Sequence, residues 1–331
     1  MDATIPDTDV VRTAVDLACR APSVHNSQPW QWRYDAGRLD LYADPARLLV
    51  AADPRGRQLL ISCGAALHHL TVAMASLRWR THIDLLPRAD GSRQVASVRF
   101  TRDAQPRSHD FDLLAAIRRR RTDRTAFSPL PDPLTAERLR AAAGAGVTVT
   151  VLPEDARPAL VEATELSSAV RRYDASYQAE LRWWAGHDFD TDGIPDSALA
   201  TANERAMVSV GRAFPDPFTP RPSAAPTVVE TGADRADAST VLMLGTPGDE
   251  PADWIRCGQA LSAITLEATI ARLATCTLTH LTDVDRSREV IRELAPDAGV
   301  PQLLIRVGTP THPAPMNDTP RRSVSQVLTF A

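Results

Sequence analysis

Apolar positions recur at helical spacing through Val10, Val11, Ala14, Leu17 and Ala18, behind Asp7 or Thr8 as an N-cap and ahead of Pro22. The pattern predicts a helix that delivers the segment Ala21 to Trp30. Gln31 to Tyr34 and Leu39 to Tyr42 read as short strands around Asp35-Ala36-Gly37, a hairpin signal. Leu59 to Leu77 predicts a long apolar helix, and Val95 to Phe100 alternates as a strand does. Farther along, Phe111 to Arg121 and Thr135 to Ala143 are helical, with Pro129 to Pro133 breaking the chain between them. Val147 to Leu152 is a β-branched strand, and Leu160 to Trp184 reads as one long amphipathic helix. Val241 to Gly245 and Leu303 to Val307 are strands that flank a helix from about Trp254 to Leu273. Helices alternate with strands throughout, so the class is mixed α/β or α+β.

Between Gly186 and Pro226 the pattern fails, interrupted by Pro195, Pro215, Pro217, Pro220, Pro222 and Pro226, although Ser197 to Val210 has room for one helix. Long irregular stretches in folded proteins serve as lids, binding loops or linkers. A lid or crossover is expected here, with an inert surface excursion as the alternative.

A shift of 194 residues places Cys63-Gly64-Ala65-Ala66-Leu67 on Cys257-Gly258-Gln259-Ala260-Leu261, and the match continues through Thr71 on Thr265, Arg78 on Arg272 and Thr81 on Thr275. Both helices lead to a strand with an internal arginine, Ser97-Val98-Arg99-Phe100 and Leu304-Ile305-Arg306-Val307. A period this long is unlike a solenoid. It points to two fused halves of similar build, about 1–105 and 106–331, packed as a dimer packs and free to lose one of two equivalent sites.

Composition narrows the chemistry. The chain has 331 residues, 44% hydrophobic and 24% charged, as a soluble folded protein of about two domains would. All 37 basic residues are arginine. Without a lysine there is no Schiff-base chemistry, no P-loop or kinase lysine and no S-x-x-K acylating serine. A net charge of −4 gives no global field for nucleic acid or anionic membrane. No run of about 18 apolar residues stands out to span a bilayer, and the acidic start MDATIPDTDVVR is unlike a signal peptide. A cytoplasmic protein is expected. Cys19, Cys63, Cys257 and Cys276 lie far apart and read as buried reduced thiols. His68 and His69 invite a metal, but adjacent helix residues point to different faces, so no metal site is expected.

Three segments carry candidate chemistry. Ala21-Pro22-Ser23-Val24-His25-Asn26-Ser27-Gln28-Pro29-Trp30 is a helix exit rich in neutral hydrogen-bonding groups, suited either to turn structure or to a planar heterocycle with a polyol tail. Arg118-Arg119-Arg120-Arg121-Thr122-Asp123-Arg124 is either a phosphate cradle or a solvated helix end, since guanidinium forks match phosphate oxygens and also offset the helix dipole. Arg321-Arg322 follows proline-rich coil and says nothing by itself.

Together the segments resemble a family. Ala-Pro-Ser-x-x-Asn-x-Gln-Pro-Trp at 21 to 30 is similar to the signature of the FMN-dependent nitroreductase superfamily. Arg120-Arg121-Thr122-Asp123-Arg124 resembles its Arg-Arg-Ser-x-Arg phosphate motif, and Arg321-Arg322-Ser323-Val324 its basic C-terminal segment. The order, with the Ala-Pro-Ser segment first, resembles the Acg family of fused, nitroreductase-like flavoproteins, as do Gly245-Thr246-Pro247-Gly248-Asp249 and the stretch Pro301 to Gly308. The resemblance implies an α+β fold in two nitroreductase-like copies, mixed sheets flanked by helices. It also implies one FMN between the halves, because only the first half has Pro22, Ser23 and Asn26 and only the second has the arginine motif. On that basis Arg120, Thr122, Arg124, Arg321 and Arg322 would hold the phosphate, Ser23, Asn26 and Gln28 the ribityl chain and ring edge, and Pro22 would line the ring. NAD(P)H would reduce the flavin and a nitroaromatic or quinone would reoxidise it, with no catalytic side chain, in a monomeric pseudo-dimer that needs neither nucleic acid nor membrane. The rival is FMN storage under a closed lid.

Overall fold

The computed structural model describes residues 5–87, 93–103, 105–186, 190–212, 236–312 and 319–331. Helix α1 (Thr8–Ala18) starts where the Asp7 carboxylate accepts the Val10 N–H at 2.8 Å, and it buries Val11, Ala14, Val15, Leu17 and Ala18. Strands β1 (Trp30–Asp35) and β2 (Arg38–Ala43) form the expected hairpin. Its loop residues Ala36 and Gly37 both have positive φ, 45° and 82°, which matches the right-handed twist of the strands.

Helix α2 (Arg57–Ser76) is followed by the antiparallel strands β3 (Trp79–Leu85) and β4 (Gln94–Arg102). Helix α3 (Ser108–Arg119) leads into the arginine run, and strand β5 (Phe127–Ser128), helix α4 (Pro133–Ala141) and strand β6 (Thr148–Leu152) come next. The long helix expected over 160–184 is two helices, α5 (Arg157–Arg172) and α6 (Ala175–Trp184). Asp174 divides them by capping α6, its carboxylate accepting the Tyr177 N–H at 2.9 Å. The helix with room over 197–210 shrinks to one short turn, α7 (Ala202–Ala206), with its own capping box of Thr201 and Glu204. Prolines 215, 217, 220, 222 and 226 lie outside the described residues.

Strand β7 (Thr240–Thr246), helix α8 (Pro251–Ile270), strand β8 (Ala274–Leu278), helix α9 (Asp285–Glu293) and strand β9 (Val300–Pro310) follow. Near the C-terminus the short helix α10 (Val324–Val327) runs into β10 (Leu328–Phe330). The first sheet has the order β10-β1-β2-β4-β3, so its edge strand comes from the far end of the chain and pairs parallel to β1. In the second sheet β5-β9-β7-β6 run in order and β8 also pairs with β9. The fold is α+β, with helices packed on both sheets.

Helices α2 and α8 pack against each other, and both are apolar nearly all round. Each contributes to buried clusters with the two sheets. By length and composition α2 could cross a bilayer, contrary to the sequence expectation, but most of its apolar window is buried here. The helices cross at two glycines. A Cβ at Gly64 would lie 2.1 Å from the Ile255 carbonyl oxygen, and one at Gly258 would lie 1.9 Å from the Ile61 oxygen, so neither position admits a side chain. The contacts are reciprocal, since Ile61 and Ile255 are 194 residues apart, as Gly64 and Gly258 are. His68 meets Ser262 at 2.8 Å and Arg55 meets Asp249 at 3.3 Å, again 194 residues apart in each pair. His69 Nδ1 also reaches the Ser262 hydroxyl, at 2.7 Å. The adjacent histidines thus share one partner across the helix seam, where the sequence placed them on separate faces.

Candidate functional site

The loop after α1 is built on unusual backbone. His25, Asn26 and Gln28 all have positive φ, 49°, 56° and 49°, a conformation that disfavours residues with a Cβ and persists only where the surroundings over-determine it. Those surroundings are hydrogen bonds. The Gln28 N–H donates to Ser23 Oγ at 3.1 Å, and the Val24 N–H donates to Ser62 Oγ on α2 at 3.1 Å. Asn26 Nδ2 donates to the carbonyls of Gly193 and Pro320, each at 2.9 Å, and its Oδ1 accepts from Arg321 at 3.0 Å. Gln28 donates to the Thr191 carbonyl at 2.8 Å and accepts the Arg322 N–H at 2.9 Å. One loop therefore ties the first sheet to the irregular segment and to the C-terminal segment.

Two adjoining cavities open beneath this loop. The smaller, of about 70 Å³, is walled by Arg20, Arg120, Arg121, Arg124 and Arg321, with Asn26 and Thr122. The larger, of about 400 Å³, shares Pro22, Ser23, His25, Thr122, Arg124 and Ile194 with it and extends over Ile61, Leu261, Leu278 and Leu303. Among the described residues no carboxylate lines either cavity.

Like charges crowd the smaller cavity. Burial, and then the guanidiniums of Arg321, Arg121 and Arg20, push Arg120 down to about 9. Burial and the charges of Arg20 and Arg121 push Arg321 down to about 10, although nearby Cys19 opposes the shift. Arg124 is also lowered, chiefly by burial. Buried Nε atoms of Arg120 and Arg321 have no hydrogen-bond partner among the described residues. Buried cations of one sign with unsatisfied donors are a site for an anion, and the fork geometry suits phosphate oxygens.

The far wall of the larger cavity is balanced instead. Arg212 donates to His25 Nε2 at 3.1 Å, to the Tyr177 hydroxyl at 3.0 Å, to Thr279 Oγ1 at 3.1 Å and to Asp283 at 2.9 Å. Asp283 also accepts from Arg57 at 3.1 Å. Because Arg212 donates to Nε2, His25 carries its hydrogen on Nδ1. Burial and the Arg212 charge hold the imidazole well below its usual pKa, so it is neutral. Arg306 is likewise paired, at 2.6 Å with Asp237.

Seven of the nine residues singled out from the sequence come together here. Pro22, Ser23, Thr122 and Arg124 line both cavities, while Asn26, Arg120 and Arg321 line the smaller one. Gln28 and Arg322 line neither. The Arg322 guanidinium donates to the carbonyls of Gln28 and Trp30 at 3.1 and 3.3 Å and lies 3.7 Å from Asp44, so it anchors the loop from behind. The sequence reading missed Arg20, Arg121, His25, Gln58, Arg212 and His280. Arg20 adjoins the Ala-Pro-Ser segment and Arg121 sits inside the arginine run, and these were the signals available for them. Among the described residues no cluster of His, Cys, Asp or Glu could hold a metal.

A pocket of guanidiniums thus opens into a largely apolar chamber beside a strained polar loop. No family model matches the chain. It is 41% identical over 337 residues to the Mycobacterium tuberculosis protein named "Putative NAD(P)H nitroreductase acg", covering 99% of this chain and 98% of that one. It is 42% identical over 327 residues to the uncharacterized protein Rv3127 of the same organism, covering 96% and 92%. The structure of the FMN-dependent nitroreductase NfnB of Mycobacterium smegmatis in complex with NADPH superposes on 68% of this chain and 100% of its own, with 17% identity and a TM-score of 0.40. The chain belongs to the Acg family of nitroreductase-like proteins.

Proposed function

We propose that the protein binds one FMN across the two cavities and works as an NAD(P)H oxidoreductase of the nitroreductase type. The observation that carries this reading is the guanidinium pocket, with no carboxylate on its wall among the described residues and with orphan donors on Arg120 and Arg321, joined to a chamber of ring size. The buried Nε donors of Arg120 and Arg321 fit a phosphomonoester, and Arg124 and Thr122 stand where phosphate and chamber meet. Pro22, Ser23 and Asn26 shape the passage for the ribityl chain, and Gln28 and Arg322 keep that loop in place. Ile61, Leu261 and Leu303 exclude water from the ring. FMN, when bound, supplies the two-electron chemistry between reduced nicotinamide and a nitroaromatic or quinone-type acceptor.

A site held within one chain fits an origin as two fused copies, about 1–105 and 106–331. Three pairs spaced by 194 residues, Gly64–Gly258, His68–Ser262 and Arg55–Asp249, support that origin. A residue on a two-fold axis meets its own equivalent. The purified protein should be yellow, with a released flavin of FMN mass. A colourless protein that takes up no FMN would overturn the reading.

A second reading rests on the irregular segment. Ile194, Leu199, Ala200, Val208 and Arg212 all face the larger cavity, and Arg212 is fastened to Asp283. A segment fastened over the ring would bar nicotinamide and favour FMN storage. Stopped-flow mixing with NADPH separates the two: rapid bleaching supports turnover, while an unbleached flavin that dithionite still reduces supports storage.

A further inference from the structure

Two polar side chains on the larger cavity have no part in the phosphate pocket. Gln58, on the first turn of α2, and His280, in the turn after β8, line this cavity and not the smaller one. Both are buried, at 2% and 4% exposure. Gln58 Nε2 donates to Asp283 at 2.5 Å, and two guanidiniums donate to that same carboxylate. Burial raises the Asp283 pKa, but Arg57 and Arg212 each donate to one of its oxygens and favour the acceptor form, which sets the amide nitrogen toward Asp283 and its oxygen away. That oxygen and His280 Nε2 are buried atoms without a partner among the described residues. Burial and the Arg212 charge keep His280 neutral. Buried polar atoms are normally satisfied, so two orphans on one cavity wall point to a bound group that completes them.

We propose that Gln58 and His280, with Asp283 as the positioning residue, form a subsite for a planar amide edge, an N–H beside a C=O. The inference rests on the flavin-and-nicotinamide reading, which offers two such edges: the imide edge of the isoalloxazine ring and the carboxamide of the nicotinamide. Gln58 Oε1 takes the N–H of either one. His280 Nε2 answers the neighbouring oxygen.

The test compares Gln58→Leu and His280→Phe with the wild type. His280→Phe leaves the Asp283 contacts in place, and Gln58→Met and His280→Leu replace the first pair should either fail to fold. FMN, phosphate-free riboflavin and NADPH are titrated separately. Loss of one buried hydrogen bond should weaken binding about tenfold. Weakened FMN and riboflavin binding assigns the subsite to the ring. Intact flavin binding with weakened NADPH binding assigns it to the carboxamide. Folded variants that bind all three as the wild type does overturn the subsite and leave the flavin reading standing. A wild-type chain that holds neither FMN nor NADPH overturns both.

Discussion

The two ends of the joined cavities use arginine in opposite ways. At one end Arg20, Arg120, Arg121, Arg124 and Arg321 gather without a carboxylate on the wall, and burial with mutual repulsion lowers Arg120 and Arg321. At the other, Arg57 and Arg212 share the buried Asp283, and Arg306 has Asp237. The same residue type therefore builds a scaffold where it faces a buried carboxylate, and crowds like charge where the cavity wall offers none among the described residues.

The sharpest way to break the contrast is to unbalance the balanced end. Asp283→Asn leaves two nearly buried guanidiniums unpaired and should cost about 3–5 kcal/mol of stability, read by denaturant unfolding. An unchanged midpoint would show that water reaches those arginines.

A pH titration probes the same end through Asp53, which desolvation, opposed by backbone hydrogen bonds from Leu59 and Gln58, lifts from 3.8 to about 6. Between those values the folded chain holds a proton that the unfolded chain has released. The Asp53 contribution to stability should therefore fall by about 2–3 kcal/mol as pH rises from roughly 4 to 6, against an opposite rise from His25, His68, His69 and His280, which burial keeps neutral where the unfolded chain protonates them. The difference between the wild-type and Asp53→Asn stability curves isolates that fall, and a difference that does not change between pH 4 and 6 would overturn it.

At the crowded end the signs reverse between stability and binding. Arg120→Met should weaken FMN binding about ten- to a hundredfold, or about 1.5–3 kcal/mol, yet raise the melting temperature of the flavin-free protein by relieving like-charge repulsion. Isothermal titration and a thermal melt read the two effects. Parallel losses in both would mean that Arg120 is scaffold after all.

The smallest effect should come from inorganic phosphate alone. At tenfold excess over its Kd it should stabilise the flavin-free protein by about 1.4 kcal/mol, and Arg120→Met should reduce the gain. No phosphate effect on the wild-type melt would count against an anion pocket.

What the sequence disclosed was what neighbouring residues encode. The apolar run placed α2 within two residues of its start, and Asp35-Ala36-Gly37 marked the hairpin. Strand β3 escaped because Arg80, His82 and Asp84 on its outward face break up the apolar signal. Strand β10, three residues long, has no period to read, and its partner β1 lies far away in the chain. The split between α5 and α6 hung on one capping aspartate inside a continuous amphipathic pattern. The same divide holds in the candidate site. Pro22, Ser23, Asn26, Arg120, Thr122 and Arg124 sit in compact motifs, whereas Gln58, Arg212 and His280 stand alone in their segments and reach the cavity only through tertiary packing.

The anion pocket also has a consequence for how the chain matures. Arg321 Nη2 lies 3.5 Å from the Arg20 carbonyl oxygen, across a separation of 301 residues, while α3 brings in Arg120 from between them. Contacts that distant form late, after the loop entropy of nearly the whole polypeptide has been overcome. On the proposed reading, tight capture of an anion would report that folding has finished, and a protease nick that releases the segment around Arg321 should silence that report while leaving most of the secondary structure intact.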